Sequence, residues 1–348
     1  MRKSAKFVGF LSLFVILFFA VRALPILSVS NVTDKVVRVG YFPNITHSQA
    51  IAGMVKGVFQ KELGPDVKIE IKIFNAGPSV IEAIFAGVLD IAYVGPNPAI
   101  NGYIKSNGEA LRIVAGAASG GAGLVVRNDS GISKPEDFHG RTIASPQLGN
   151  TQDVALRSWL NKHSLVLKEK GGDVKVCPIA NPDQITLFNK KEIDGAWTVE
   201  PWVSRLIEEG NGRLYLDERE LWPDGEFVTA NIIVSKKFLD KNPGIVKGWL
   251  KAHVEITEWI NRNIDEAKII INNEIKNLMG VALRESVLNS AFSRMKVTYD
   301  PIKSSLRKSA EAAFNEGFLG DKYPDLSGIY SLELLNQVLK DKEMRQID

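Results

Sequence analysis

The chain has 348 residues, of which 45% are apolar and 24% charged, enough to bury the cores of two domains of ordinary size. Forty-three Lys and Arg against 40 Asp and Glu leave a formal net charge of +3, interspersed along the chain. A nucleic-acid partner requires a concentrated basic surface, so this charge pattern argues against one.

The N-terminus has the features of an export signal. The basic stretch MRKSAK precedes the apolar run FVGFLSLFVILFFAV, which is shorter than the roughly 20 residues of a membrane-spanning helix. Val21-Arg22-Ala23 follows as a cleavage site with small residues. We expect residues 1–35 to be a signal peptide or an uncleaved N-terminal anchor with a linker. The protein is then exported, either periplasmic or tethered to the outer face of the cytoplasmic membrane.

Cysteine and histidine usage predicts neither redox nor metal chemistry. Cys177 is the single cysteine, which excludes an internal disulfide, and no cysteine follows the apolar run to accept a lipid. Such a lone thiol after a strand is typical of a small buried group. The histidines have no metal-ligand spacing, and we predict no metal site and no cofactor; they are His47, His139, His163 and His253.

From residue 36 onward, short β-branched runs alternate with longer amphipathic ones. VVRVGY (36–41), VKIEIKIF (67–74), DIAYVG (90–95) and LRIVAGA (111–117) are predicted strands with helices between them. This alternation predicts an α/β fold with mostly parallel sheets covered by helices on both faces.

The alternation begins again after the glycine-rich stretch AASGGAG (117–123), which indicates a second α/β unit. A strand at 227–235 then leads into a nearly all-helical region. We predict a discontinuous lobe 1 of residues 36–123 and 232–348, a lobe 2 of residues 124–231, and a two-stranded hinge that closes on a ligand. An apolar stripe is expected to pack against the first unit, or else to contact a permease; it comprises Ile245, Trp249, His253, Ile256, Ile260 and Ile264.

Strong helix-start signals follow the predicted strands, with capping residues expected at Thr46, Ser79, Asn97, Asn150 or Thr151, and Asn181. In parallel sheets the strand ends share one edge, so these helix tips should converge at a ligand crevice. Free N–H groups and hydroxyls there, including those of Ser79, Ser119 and Thr151, could hold a small anion without lysine or arginine.

The stretch WTVEPWVS (197–204) offers a second part of the site. Trp197 and Trp202 flank Glu200-Pro201 after a short predicted strand. One interpretation has an indole covering the apolar part of a ligand while Glu200 faces an amine at its far end. The alternative is that the tryptophans pack a domain edge and Glu200 caps the next helix.

Three stretches carry a family resemblance: FNAGPSVIEAIFAGVLDIAYVGPNPAI, LRIVAGAASGGAGLVVR and GAWTVEPW. They resemble the periplasmic solute-binding proteins of the aliphatic sulfonate, taurine and nitrate group of ABC importers. The resemblance implies a type II periplasmic-binding-protein fold with two lobes, and delivery of the liganded form to a membrane permease with its cytoplasmic ATPase. The expected protein is a monomer.

The resemblance also carries over site residues. It implies ligand contacts at Phe42, Pro43, Asn44, Gly77, Ser79, Gly95, Pro96, Asn97, Gly149, Asn150, Thr151 and Glu200. Family members often have Asp-Pro-Phe or Asp-Pro-Tyr where this chain has Glu-Pro-Trp at 200–202. Ser119, Gly120, Trp197 and Trp202 complete the candidate ligand-binding set.

We therefore expect a binding protein without catalysis that captures a taurine-like or alkanesulfonate-like anion. Nitrate, bicarbonate or a thiamine-pyrimidine-type precursor are alternative ligands, and a membrane-tethered ligand sensor is an alternative role. The fold also occurs in a thiamine-pyrimidine synthase that resembles these proteins. That enzyme's pattern includes a cysteine-rich iron-binding segment, from which a chain with one cysteine departs.

Overall fold

The computed structural model describes residues 35–348, so the expected export segment lies outside the described residues. In this range the strands, in chain order, are β1 (Lys35–Tyr41), β2 (Val67–Ile73), β3 (Ile91–Val94), β4 (Leu111–Gly120), β5 (Ala122–Arg127), β6 (Thr142–Ser145), β7 (Lys175–Pro178), β8 (Gly195–Val199), β9 (Gly212–Asp217), β10 (Val228–Ser235) and β11 (Met295–Val297).

The α-helices over the same range are α1 (Ser48–Val55), α2 (Val58–Leu63), α3 (Gly77–Phe85), α4 (Pro96–Lys105), α5 (Thr151–Lys162), α6 (Asn181–Asn189), α7 (Trp202–Glu209), α8 (Lys236–Lys241), α9 (Pro243–Arg262), α10 (Ile264–Met279), α11 (Glu285–Ser293), α12 (Lys303–Asn315) and α13 (Glu333–Asp341). Short 3-10 helices include Ile45–His47 and Glu218–Leu221. Between residues 35 and 348, no helix combines the length and the apolar character needed to cross a bilayer.

The strands form two sheets. Sheet 1 has the order β11-β4-β10-β3-β1-β2, and sheet 2 has the order β7-β6-β8-β5-β9. Parallel pairs join β1 to β2 and β3, and β6 to β7 and β8. The predicted α/β class is confirmed, but both sheets are mixed rather than mostly parallel. The strands flanking each passage between sheets (β4, β5, β9 and β10) run antiparallel to their neighbours.

Sheet 1 has a hydrophobic core on each face, because side chains alternate along its buried strands. In β3, Ile91 and Tyr93 join one core, whereas Ala92 and Val94 join the other. The first of these cores takes up α9, confirming that most of the predicted apolar stripe packs against the first unit. Ile264 departs from the stripe: α9 ends at Arg262, and Ile264 begins α10 with 37% of its surface exposed.

The chain passes between the sheets at Gly121 and again over residues 218–227. Gly120 and Gly121 have φ angles of +73° and +75°, and a Cβ atom on Gly120 would lie 2.6 Å from the Arg294 carbonyl oxygen. Glycine is therefore required at position 120 on both conformational and steric grounds. The Thr229 hydroxyl donates to the Gly120 carbonyl at 2.5 Å, which ties the two passages together. The lobe boundaries given above stay a prediction.

A buried histidine joins α9 to sheet 1. His253 Nε2 lies 2.9 Å from the Gly116 carbonyl oxygen and Nδ1 lies 3.2 Å from the Tyr93 hydroxyl. Burial lowers the pKa of His253 to about 4, from an ordinary value of 6.5. The folded protein therefore keeps a neutral imidazole that donates through Nε2 and accepts through Nδ1.

This arrangement makes stability depend on pH. Between about pH 6.5 and 4 the unfolded chain binds a proton at His253 that the folded chain does not, so stability falls as pH falls. One such proton corresponds to about 1.4 kcal/mol per pH unit. The variant His253→Gln, measured by urea unfolding between pH 6 and 5, should lose less stability over that interval than the parent. Equal slopes for the two proteins would contradict this assignment.

Candidate functional site

A small cavity lies where the carboxyl ends of the parallel strands in both sheets meet. Its volume is about 30 Å³, on a scale where one water needs about 10–15 Å³. The residues around it follow β1, β2 and β3 of sheet 1 and β6 and β7 of sheet 2, and they include the last residue of β8 and one residue of β10. They are Phe42, Asn44, Thr46, His47, Asn75, Ala76, Gly77, Gly95, Pro98, Pro146, Asn150, Thr151, Gln152, Asn181, Val199 and Thr229.

Helix N-termini converge on this cavity, as the sequence predicts. The lining includes the first residue or the N-cap of α3, α4, α5 and α6, together with two residues of the 3-10 turn Ile45–His47. Amide N–H groups in a first helical turn have no partner within their own helix. The helix dipole adds partial positive charge at the same point. The cavity is therefore lined by neutral groups that carry partial positive charge.

The helices begin earlier than predicted, so several capping assignments are wrong. The N-cap of α3 is Ala76 and that of α4 is Gly95, which places Ser79 and Asn97 inside the first turn. Proline explains the difference. Its fixed φ suits a helix, and its missing N–H is not needed in the first turn, so each helix can start at or before the proline.

The same correction applies to two further positions. Asn181 is the first residue of α6 rather than its cap, and its Oδ1 accepts a hydrogen bond from the Thr198 hydroxyl at 2.8 Å. Thr46 lies within the 3-10 turn that precedes α1. The assignment of Asn150 is confirmed, because its Oδ1 accepts from the Asp153 amide at 2.8 Å.

His47 is a neutral member of the lining. Its Nδ1 accepts a hydrogen bond from the Phe42 amide at 3.2 Å, and the two rings stack with centroids 4.4 Å apart. Burial lowers the pKa of His47 to about 3. Because Nδ1 is an acceptor in a neutral ring, the proton sits on Nε2, which is then available as a donor.

The hydroxyl of Thr151 has no hydrogen-bond partner within the described part of the chain, although the residue is 94% buried. A buried polar group left without a partner costs about 1–3 kcal/mol, so such groups call for a ligand or water. Gly95 lies opposite: a Cβ atom there would come within 2.4 Å of Thr151 Oγ1. The absent side chain at Gly95 therefore allows the start of α5 to approach the start of α4.

The structure brings six of the predicted site residues together in the lining: Phe42, Asn44, Gly77, Gly95, Asn150 and Thr151. Pro43, Pro96, Asn97 and Gly149 are chain neighbours of lining residues, and Ser79 lies two residues after Gly77. Ser119 and Gly120 lie at the end of β4, where the Ser119 hydroxyl accepts from the Phe227 amide at 3.3 Å. These two residues belong to the passage between the sheets rather than to the cavity lining.

Trp197 and Glu200 do not occupy the positions expected of ligand contacts. Trp197 is fully buried and donates through Nε1 to Glu218 Oε2 at 2.7 Å. Glu200 is also fully buried, with Oε1 2.9 Å from Arg294 Nη1 and 3.0 Å from the Ser204 hydroxyl. The Glu200 carboxylate is thus engaged by protein donors, and it also accepts from the Ser204 amide in the first turn of α7, in line with the capping alternative. Its contact with a ligand amine stays a prediction.

Trp202 connects the two halves of the molecule beside the cavity. It begins α7, and its Nε1 donates to Asn44 Oδ1 at 2.9 Å. Asn44 follows β1 of sheet 1, whereas α7 follows β8 of sheet 2. Trp202 therefore bonds an element that follows sheet 2 to one that follows sheet 1, and its role as a cover for the ligand stays a prediction.

Comparison with known proteins places the chain in a family. Residues 30–272 match the NMT1-like family. The chain belongs to this family. The taurine-binding periplasmic protein of Escherichia coli K12 is 28% identical over 200 residues, which cover 57% of this chain and 58% of that protein. A binding protein of Brucella abortus (strain 2308) is 27% identical over 303 residues, or 80% of this chain and 90% of that protein.

A solved structure shows the fold. The alkanesulfonate-binding protein SsuA of Xanthomonas axonopodis pv. citri, bound to MOPS, superposes with a TM-score of 0.70 at 18% identity, covering 85% of this chain and 98% of that one. The two-lobed binding-protein fold expected from the sequence is therefore confirmed, as is the resemblance to the sulfonate, taurine and nitrate group.

Sequence reasoning missed part of this NMT1-like cleft. Besides the predicted helix starts Thr46 and Asn181, the lining contains His47, Asn75, Ala76, Pro98, Pro146, Gln152, Val199 and Thr229. Asn75 and Ala76 immediately precede the Gly77-Pro78 turn, and Gln152 follows Thr151, so extending each motif by one or two residues would have found them. Thr229 lies within β10, and no motif in the sequence around it indicates a ligand site. Within residues 35–348 no group of three or more His, Cys, Asp or Glu side chains could hold a metal ion.

Asp153 holds the first turn of α5 in place through hydrogen bonds outside the cavity. Its carboxylate is fully buried and accepts from the Ser145 hydroxyl at 2.6 Å, the Gly149 amide at 2.9 Å and Arg157 Nε at 2.9 Å. Arg157 also pairs with Glu169 at 2.5 Å. This network connects β6, the turn and α5, and so positions the Asn150 and Thr151 groups of the cavity. The Asp-x-x-x-Arg spacing on one helix was the available sequence signal.

Removing the charge of Asp153 should be costly. In Asp153→Asn one acceptor oxygen becomes an NH₂ donor facing other donors, and Arg157 loses a buried partner, so we expect unfolding to become about 3–5 kcal/mol easier. Urea denaturation followed by tryptophan fluorescence measures this change. The matched control is Asp183→Asn in the exposed first turn of α6, which should cost about 1 kcal/mol or less. Equal losses for the two variants would contradict the proposed positioning role.

Proposed function

We propose that this NMT1-like protein is the extracytoplasmic substrate-binding protein of an ABC importer. In this proposal it captures a small organic sulfonate such as taurine or a short alkanesulfonate between its lobes, releases it to a membrane permease, and catalyses no reaction itself. Two of the proteins compared with it are a taurine-binding protein of Escherichia coli and an alkanesulfonate-binding protein of Xanthomonas axonopodis. The observation that carries the proposal is the convergence of four α-helix starts on a cavity with an unpaired buried hydroxyl.

Neutral donors are sufficient for reversible capture. A hydrogen bond to a charged group contributes about 1.5–3 kcal/mol, and each helix terminus adds about 0.3–1 kcal/mol toward an anion. Three or four such contacts give about 8 kcal/mol after the costs of immobilisation, which corresponds to micromolar affinity. Affinity in this range suits a protein that must also release its ligand.

The volume of the cavity supports a compact oxyanion head as the group held there. At about 30 Å³ the space accommodates only a few heavy atoms. Nitrate or bicarbonate is therefore the second candidate ligand, since either is small enough to fill the cavity without an organic part. The proposed ligand-binding residues are those of the cavity lining. Among them, Thr151 has the buried hydroxyl that lacks a partner in the described part of the chain.

Thr151 provides the direct test of this function. Thr151→Val keeps the shape of the side chain but removes the hydroxyl, so affinity for taurine and methanesulfonate should fall about 10- to 100-fold. Thr151→Ser keeps the hydroxyl and should bind within about threefold of the parent. Isothermal titration at pH 7 measures both, with nitrate and bicarbonate as further ligands. If none of these anions binds the parent protein, the proposed function is wrong.

Glu200 provides a test of what recognises the ligand. Because its carboxylate is engaged by Arg294 and Ser204, Glu200→Gln should weaken taurine and ethanesulfonate equally, leaving their affinity ratio within about twofold of the parent. Glu209→Gln, at the end of α7 and paired with Arg205, serves as the control. A loss confined to taurine would restore Glu200 as an amine contact.

A further inference from the structure

A second, larger space adjoins the cavity. It has a volume of about 410 Å³ and runs along a groove between α5 and α12, with the 3-10 helix Glu218–Leu221 at its side. Thr151 lines both spaces. From Thr151 to Lys162 the groove follows one face of α5 for about 16 Å, at about 1.5 Å per residue. The groove therefore begins at the cavity and extends away from it.

The accessible walls of the groove are mostly apolar, although its buried lining also includes the polar residues Asn97, Thr151, Glu218 and Ser309. Val154, Ala155 and Trp159 of α5 face Ala312 of α12, and Trp222 closes the side. Charged residues such as Lys162 and Glu311 are exposed. A concave surface of this kind, 300 Å³ or more with aromatic and aliphatic walls, is typical of a site for an organic group.

Glu218 is the ionisable group deepest in the groove, and it is already engaged. Its carboxylate is 2% exposed and accepts from Trp197 Nε1. Burial raises the pKa of Glu218 to about 7, so at neutral pH it carries less than a full negative charge. This environment suits an uncharged group better than a second anion.

We propose that the α5–α12 groove holds the apolar tail of the ligand while the cavity holds its oxyanion head. This inference rests on the proposed function and narrows it: the preferred substrates are sulfonates with an aliphatic chain of several carbons, rather than taurine, nitrate or bicarbonate. Thr151, which lines both spaces, stands at the junction between head and tail.

Two small side chains set the capacity of the groove. Ala155 on α5 and Ala312 on α12 both line it, and both are partly buried. A larger side chain at either position would occupy the space proposed for the tail. Neither residue lines the cavity that would hold the head. These alanines are therefore specificity-determining residues for chain length.

Titration calorimetry of the parent protein with methane-, propane- and hexanesulfonate tests the proposal. Each methylene that enters the groove should tighten binding about fourfold. Ala155→Phe and Ala312→Phe should each lose tenfold or more in affinity for hexanesulfonate, while methanesulfonate stays within about threefold of the parent. Ala86→Leu, on the exposed end of α3, is the control and should change neither.

The outcomes separate this inference from the function on which it rests. Equal or falling affinity from methane- to hexanesulfonate in the parent protein overturns the groove, even though sulfonate binding itself survives. No binding of any sulfonate removes the proposed function. Failure of the phenylalanine variants to fold, seen by thermal unfolding, leaves the chain-length series of the parent protein to decide, with Ala155→Val and Ala312→Val as milder substitutions.

Discussion

The cleft depends on one constraint: the first amides of a helix cannot bond within that helix and must find partners elsewhere. Here four α-helices place those amides around a single small cavity whose lining carries no ionised group. Prolines occupy first-turn positions in α3, α4 and α6, and each removes one amide that would otherwise need a partner. The remaining donors are few and fixed in position, so the cavity can select an acceptor of matching geometry.

Fixing those donors requires interactions that never reach the cavity. The turn before α5 is shaped by Asp153, which bonds to Ser145 and Gly149 while Arg157 balances its charge. A buried carboxylate of this kind is stable only while all its partners stay in place. The neutral chemistry of the cleft and the ionic chemistry behind it are therefore complementary. The charged side chains of Asp153 and Arg157 lie behind the lining residues. There they hold the backbone of the turn in place without competing with an anion for the donors of the cavity.

The sequence predicted well what depends on local pattern. The strand runs, the alternation with helices and the convergence of helix tips follow from hydrophobic period and chain order. The sequence could not predict the role of a side chain whose hydrogen-bond partner lies far away in the chain. For Trp197 and Glu200 the local sequence left both a ligand contact and a structural role open. The structure shows that Trp197 bonds to Glu218, and that Glu200 pairs with Arg294, which lies 94 residues away in the chain. The wrong capping assignments have a different cause. A proline near the start of a helix is compatible with more than one first-turn position, so its place in the sequence does not fix the first helical residue.

Contacts between elements of the two sheets affect the apparent affinity for a ligand that binds between them. Trp202 bonds to Asn44, and Arg294 pairs with Glu200, so protein contacts join elements that belong to different sheets. A ligand that binds only the closed arrangement has its affinity reduced by the fraction of molecules not closed. A bond that forms only in the closed arrangement raises the closed fraction and lessens that reduction. Because a net hydrogen bond contributes only about 1 kcal/mol, these bonds favour closure without locking it. Under the proposed function, weak neutral donors can then capture an anion and still release it.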